Sequence, residues 1–342
     1  MLSMFNHYPT FQLFLALVLS MALTVAVMPG FIKLLRHREI GQQVRADGPE
    51  GHLVKQGTPT MGGVVILLMM CLSVFIVHAP DMRLLAVAAA TLLTGLLGFV
   101  DDAAKVAKER SLGLTPAQKM IGLTVICVVF CLVAVNMLGV SPVVTIPFAN
   151  IDIDLGIAAF TVGGVYVPWL YVFFVFILMA GLSNAVNLTD GLDGLAGGTV
   201  MIAMGVMAAI CFSSNMLDLG VFAMAAAGAC IGFLWFNCYP ASIFMGDTGS
   251  LALGAAFAAM AVITKTELFS LIIGGIFVAE ALSVIIQVAY FKKTRKRIFL
   301  MAPLHHHFEK KGWGETKVVM RFWIITALLA GLGFVAFFAT RL

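Results

Sequence analysis

Apolar residues recur along the chain in long blocks, near 11–34, 60–79, 83–100, 119–139, 167–186, 195–213, 218–236, 249–264, 268–291 and 319–340. A bilayer-crossing helix needs about 20 apolar residues, and its backbone must satisfy its own hydrogen bonds. The pattern therefore predicts an all-α polytopic membrane protein with about ten transmembrane helices, residues 1–342 forming a single integral membrane domain. One stretch departs from it. "VVTIPFANIDIDLGIAAFTVGGVYV" (143–167) alternates polar with apolar and carries Gly163-Gly164, which predicts a small external β-hairpin. Alternation puts Asp152 and Asp154 on one face. They could bind a cation there, but solvated edge positions explain them as well.

Charge turns these blocks into a topology. Only 11% of residues are charged, against about 25% in a soluble domain. Of the 21 Lys and Arg, all but Arg83, Lys265 and Arg341 lie on the loops after the odd-numbered blocks or on the block ends that flank them. The positive-inside rule makes that face cytoplasmic and both termini external. The first block is followed, not preceded, by basic residues, so it reads as a spanning helix and not as a cleaved signal. The six cysteines sit in apolar runs without metal-ligand spacing and read as free thiols.

The unusual polar residues gather on the basic face. In "GFVDDAAKVAKE" (98–109), Asp101 and Asp102 end the third block and Lys105 follows Asp101 by one helical turn. Such a pair can hold a divalent cation or raise one pKa to make a base, or be a helix-end cluster solvated by headgroups. In "SNAVNLTDGLDGLAGG" (183–198), Asn187, Asp190 and Asp193 are spaced by three among glycines. An N-cap explains one of those acids, and a ligand explains both. In "FNCYPASIFMGDTGSLALG" (236–254), Asp247 stands at a helix start near Gly246 and Gly249, as an N-cap or a ligand to a cation. "DTG" occurs once and abuts a spanning block, which excludes an aspartic protease.

"PLHHHFEKKGWGE" (303–315) holds His305, His306 and His307 in a row. Its position is internal, which excludes a tag. Successive side chains diverge by about 100° in a helix, so three neighbours cannot share one ion. Contact with phosphate or sugar beside lysines fits better. The basic run 292–297 reads as a loop drawn to lipid headgroups. Carboxylates and bases on one membrane face suggest a divalent metal bridging phosphates, with one soluble and one lipid partner.

With "GTPTMGG" (57–63), "DDAAK" (101–105), "NLTDGLDGLAGG" (187–198), "NCYPASIFMGDTGSLALG" (237–254) and "PLHHHFE" (303–309), the chain resembles the polyprenyl-phosphate N-acetylhexosamine-1-phosphate transferases. The triple histidine and "TPTMGG" resemble the bacterial branch that uses UDP-N-acetylmuramoyl-pentapeptide. The resemblance runs from about residue 30 to 325. It implies transfer of phospho-N-acetylmuramoyl-pentapeptide to undecaprenyl phosphate, giving lipid I and UMP, with Mg²⁺. It also implies a homodimer in the bacterial inner membrane, with a cytoplasmic active site, membrane lipid around it and no nucleic acid partner. By the same resemblance Asp247 is the metal ligand, and Asp101 and Asp102 are the catalytic acidic pair, Asp101 as the base. Lys55, Asn187, Gly191, Leu192, Asp193, Asn237, Phe244 and Gln287 fall where the family contacts the nucleotide. Asp190 joins this substrate-binding set. Lys105, Lys119 and the three histidines fall around the phosphates and the sugar-peptide.

Two rivals stand beside this reading. A sister enzyme would transfer GlcNAc-1-phosphate, against which "PLHHHFE" argues. A secondary transporter would use an intramembrane acid, and Glu280 lies mid-block with Gln287 seven residues on, on the same helix face. The acids, however, cluster at one surface and no internal repeat is present.

Overall fold

The computed structural model describes residues 8–38, 57–107 and 113–341. Twelve helices and four short strands follow in the order α1 (Pro9–His37), α2 (Gly63–Val77), α3 (Met82–Ala107), α4 (Pro116–Asn136), β1 (Val143–Ile146), β2 (Ile151–Asp154), β3 (Phe160–Val162), β4 (Val165–Val167), α5 (Trp169–Thr189), α6 (Leu195–Ser213), α7 (Leu217–Asn237), α8 (Gly246–Ile263), α9 (Glu267–Ile273), α10 (Gly275–Thr294), α11 (Leu304–Lys310) and α12 (Glu315–Arg341). Among the described residues, nine helices are long and apolar enough to cross a membrane, so this is a multi-pass membrane protein.

Two expectations change here. Of the expected ten spans, the second is only 15 residues of helix, about 22 Å at 1.5 Å per residue, short of a bilayer core of about 30 Å. It starts late because residues 62 and 63 give their amides to the carbonyls of Phe244 (2.8 Å) and Met245 (2.9 Å) across the molecule. The expected span 268–291 is broken at Gly274 into α9 and α10. Glycine carries the lowest helix propensity after proline, and a Cβ on Gly274 would lie 2.9 Å from the Phe257 ring.

The expected single hairpin is two. β1 pairs antiparallel with β2, and β3 with β4. The second closes on Gly163 and Gly164, both at positive φ, as a two-residue turn that matches strand twist requires. The first turns instead through Phe148 and Asn150 at positive φ. Asp152 accepts from the Thr145 hydroxyl (2.6 Å) and Asp154 from the Gly156 amide (2.7 Å), both exposed. Asn136 of α4 holds Tyr166 of β4 through two backbone bonds of 2.9 Å.

The interior is built on α8, which is almost wholly buried and packs against α2, α3, α5 and α6. With no hydrophobic drive between helices in lipid, small residues that let backbones touch supply the packing. "GDTGSLALGAAFAAMA" (246–261) is such a surface. A Cβ on Gly254 would lie 2.5 Å from the Leu182 carbonyl of α5. A second group joins α7 to α1, α2 and α6, and α12 closes against α6 and α9.

Candidate active site

The site begins where α3 and α8 meet. Gly98 lets α3 lie on the start of α8; a Cβ there would be 2.3 Å from the Asp247 carbonyl oxygen. Gly246 turns the chain into α8 at φ +77°, a conformation other residues adopt at a cost. The first amides of a helix lack internal partners and carry partial positive charge. Asp102, one turn beyond Gly98, takes them. Its Oδ1 accepts from the Asp247 amide (3.1 Å), and its Oδ2 from the Thr248 amide (2.9 Å) and hydroxyl (2.7 Å). Asp102 thus caps a helix that is not its own.

Around that cap stand three carboxylates and two ammonium groups. Buried Asp101 accepts from the Leu114 amide with Oδ1 (2.7 Å) and pairs through Oδ2 with Lys105 (2.7 Å) and Lys119 (2.9 Å). Lys105 also reaches Asp247 Oδ1 (3.1 Å), and Lys119 reaches Asp247 Oδ2 (2.5 Å). Asn187, at the end of α5, donates to Asp247 Oδ1 (3.0 Å) and to Ser250 Oγ (2.8 Å). Side-chain exposure is 0% for Asp101, 3% for Asp102 and 13% for Asp247.

One oxygen from each of the three acids lies within 4.8 Å of the others, the one group among the described residues with the makings of a metal site. Hard carboxylate oxygens suit Mg²⁺, which typically takes one or two of them and completes its shell with water and substrate phosphates. Asp102 is committed to α8 and Asp101 to Leu114 and both lysines. Asp247, held by exchangeable lysine contacts and the most open of the three, is the carboxylate that fits a cation.

Asn187 links this centre to the turn between α5 and α6. Asp190 ends α5, half-buried; burial, then the charges of Asp247 and Asp102, push its carboxyl well above the ordinary range. Leu192 and Asp193 are buried. Asp193 accepts from the Ala241 amide (2.9 Å) and gives its own amide to Glu315 (2.8 Å). Asn237 accepts from the Gly194 amide and donates to the Ile243 carbonyl, each at 2.9 Å. Trp323 donates to the Gly194 carbonyl (3.2 Å). Residues 190–194 are thereby held by α7, by the loop before α8 and by α12. Half-buried Phe244 lies in that loop, its amide on the Pro59 carbonyl (2.8 Å).

The histidines form α11 and divide their contacts. His305 is buried between Glu280 (3.1 Å from Nδ1) and Gly191, where a Cβ would come within 2.3 Å of Nε2. His306 pairs with Glu309 (2.6 Å). His307 accepts from the Leu300 amide at Nδ1 (3.1 Å); burial, then the Lys311 charge, hold its pKa below the usual histidine value, which keeps that nitrogen an acceptor. Gln287 fastens the same loop, accepting from the amides of Ile298 and Phe299 and donating to the Phe299 carbonyl, each at 3.0 Å.

Of the residues singled out from sequence, Asp101, Asp102, Lys105, Lys119, Asn187 and Asp247 form one cluster, and Gly191 meets His305. Asn237 and Gln287 spend their amides on backbone. Lys55 lies outside the described residues. Thr248, Ser250, Glu315 and Trp323 were not anticipated. Thr248 and Ser250 had a signal, as polar residues beside Asp247 at the mouth of an apolar block; Glu315 and Trp323 had none.

An acid–lysine centre at the end of a membrane helix bundle, joined to a glycine-rich turn, can neutralise phosphate charge at a membrane surface. Residues 84–265 match glycosyl transferase family 4, and residues 55–67 match phospho-N-acetylmuramoyl-pentapeptide-transferase signature 1. Proteins named phospho-N-acetylmuramoyl-pentapeptide-transferase align along nearly the whole chain. The one from Halalkalibacterium halodurans is 48% identical, covering 94% of this chain and 96% of that relative. Those from Shouchella clausii and Geobacillus kaustophilus are each 46% identical, covering 94% and 95% of this chain and 96% and 98% of the relatives. The chain belongs to the phospho-N-acetylmuramoyl-pentapeptide-transferase family.

Proposed function

We infer that the chain transfers phospho-N-acetylmuramoyl-pentapeptide from its UDP carrier to undecaprenyl phosphate, giving lipid I and UMP. The observation that carries this reading, within that family, is the contact chain from Asp247 through Asn187 to the 190–194 turn and on to His305. It sets a phosphate-neutralising centre beside a turn whose Gly191 lets the His305 ring pack directly on the backbone.

An oxygen of the lipid phosphate attacks the β-phosphorus of the donor, and the bond from that phosphorus to the bridging oxygen breaks, its electron pair leaving with UMP. Lys105 and Lys119 neutralise charge on the diphosphate as it separates. Mg²⁺, held by Asp247, supplies the same neutralisation when bound. Asp101 has both oxygens engaged, and a phosphate monoester with a second pKa of about 6 is already largely ionised at neutral pH. Asp101 therefore acts by holding the two lysines, and the acceptor needs no base. Asp102 positions Asp247 through the backbone of α8.

The basic-loop asymmetry supports an active site on the cytoplasmic leaflet of the bacterial inner membrane with both termini outside, and the family resemblance supports a homodimer. Purified protein incubated with UDP-N-acetylmuramoyl-pentapeptide, undecaprenyl phosphate and Mg²⁺ should release UMP and form the lipid-linked product. Release of UMP from UDP-GlcNAc instead would select the sister reaction, and solute movement in proteoliposomes without UMP release would select transport.

A further inference from the structure

Glu280 is the acid that made transport a rival reading, and its surroundings give it other work. Its side chain is fully buried in α10, between two half-buried neighbours and far in sequence from the acid–lysine centre. One oxygen accepts the amide of Leu304 (2.7 Å), and the other accepts the amide of His305 (3.2 Å) and lies 3.1 Å from His305 Nδ1. Those amides open α11, which begins at Pro303 with no side-chain cap of its own. The histidine ring continues the line: its far nitrogen faces Gly191 so closely that no side chain fits between them.

We propose that Glu280 is a positioning residue for the nucleotide-sugar donor, fixing α11 and, through the His305 ring, the Gly191 turn. The proposal rests on the donor reading above for what binds at that turn. A buried carboxylate persists only when its lone pairs are met, and here the two amides that open one short segment meet them, with the His305 ring packed 3.1 Å away. α11 and the 190–194 turn belong to different helical hairpins, and His305 is the contact between them at Gly191. No ion pair or hydrogen bond joins Glu280 to Asp101, Asp102, Lys105, Lys119 or Asp247 among the described residues. Loss of its charge should therefore disturb donor binding and leave the metal and the lipid phosphate alone.

Glu280→Gln keeps the shape and one acceptor oxygen but presents an NH₂ group to an amide or to the imidazole. The expected result is a donor KM raised about tenfold or more, as loss of a buried charge-assisted bond implies, with kcat, the KM for undecaprenyl phosphate and the Mg²⁺ half-saturation each within about twofold of the parent. Donor affinity by titration calorimetry should fall by the same factor. Because Glu280 reaches the Gly191 turn through the His305 ring, Glu280→Gln combined with His305→Ala should raise donor KM by clearly less than the product of the two single effects. An unchanged donor KM, an acceptor KM that rises equally, or additive effects in the double variant would overturn the proposal. Should Glu280→Gln fail to accumulate, Glu280→Asp, which draws the charge back by one methylene, is read the same way. A parent protein that releases no UMP from UDP-N-acetylmuramoyl-pentapeptide would instead remove the donor reading, and calorimetry with UMP alone would still report whether Glu280 governs the turn.

Discussion

Thr248 gives Asp102 two hydrogen bonds through one oxygen, its amide at 2.9 Å and its hydroxyl at 2.7 Å, although the residues stand on different helices. The cap fixes where α8 begins and so where Asp247 points. Thr248→Val removes the hydroxyl and keeps the shape. It should cost about 1–2 kcal/mol, because a buried carboxyl oxygen loses one of its donors. A lower melting temperature with an unchanged Mg²⁺ half-saturation is the expected pair of results. A variant as stable as the parent would show that the hydroxyl contributes nothing to the cap.

Lys119 occupies both Asp101 and Asp247 in this structure. In the proposed mechanism it would compete with a cation for Asp247 and neutralise phosphate during transfer. Lys119→Met should therefore lower turnover by about 100-fold, the scale of one lost charge-stabilising donor. The Mg²⁺ concentration needed for half-maximal thermal stabilisation should not rise. Turnover near that of the parent, or a large rise in that concentration, would remove Lys119 from the role given to it.

Asp190 sets a pH dependence. Its carboxyl in the folded protein lies well above the unfolded value of about 4. Between those two values the folded state binds the extra proton, so stability is highest below the unfolded value and falls as pH rises through the folded one. Asp190→Asn removes that loss. In substrate-free protein its melting temperature should exceed that of the parent at neutral and alkaline pH, with the gap closing as pH falls toward the unfolded value. A gap that widens on acidification would mean that the charged form is the favoured one.

Much of this arrangement is legible in sequence, for physical reasons. Lipid admits few solutions for a backbone, so apolar length alone marks nearly every spanning helix. The Gly274 break escapes because it sits inside one continuous apolar block. The first hairpin escapes because its turn uses Phe148 and Asn150 at positive φ where glycine would have signalled it. Asp101, Asp102 and Asp247 stand out as acids at the ends of apolar blocks, and Lys105 pairs with Asp101 at the spacing one helical turn dictates. Partners distant along the chain leave no such trace. Nothing in the order of residues says that Lys119 meets Asp247, that Glu315 holds the Asp193 amide, or that Asn237 and Gln287 are spent on backbone.

The central claim is that Asp247 holds the cation around which transfer occurs. Asp247→Asn keeps the shape and the capping capacity but removes the charge a hard cation prefers. The deciding measurement is a Mg²⁺ titration of that variant, followed in parallel by melting temperature and by UMP release. The variant should fold, melt like the chelator-treated parent, gain no stability from Mg²⁺ and release no UMP. Normal UMP release, or the parent's Mg²⁺-dependent rise in melting temperature, would contradict the claim and place the metal elsewhere.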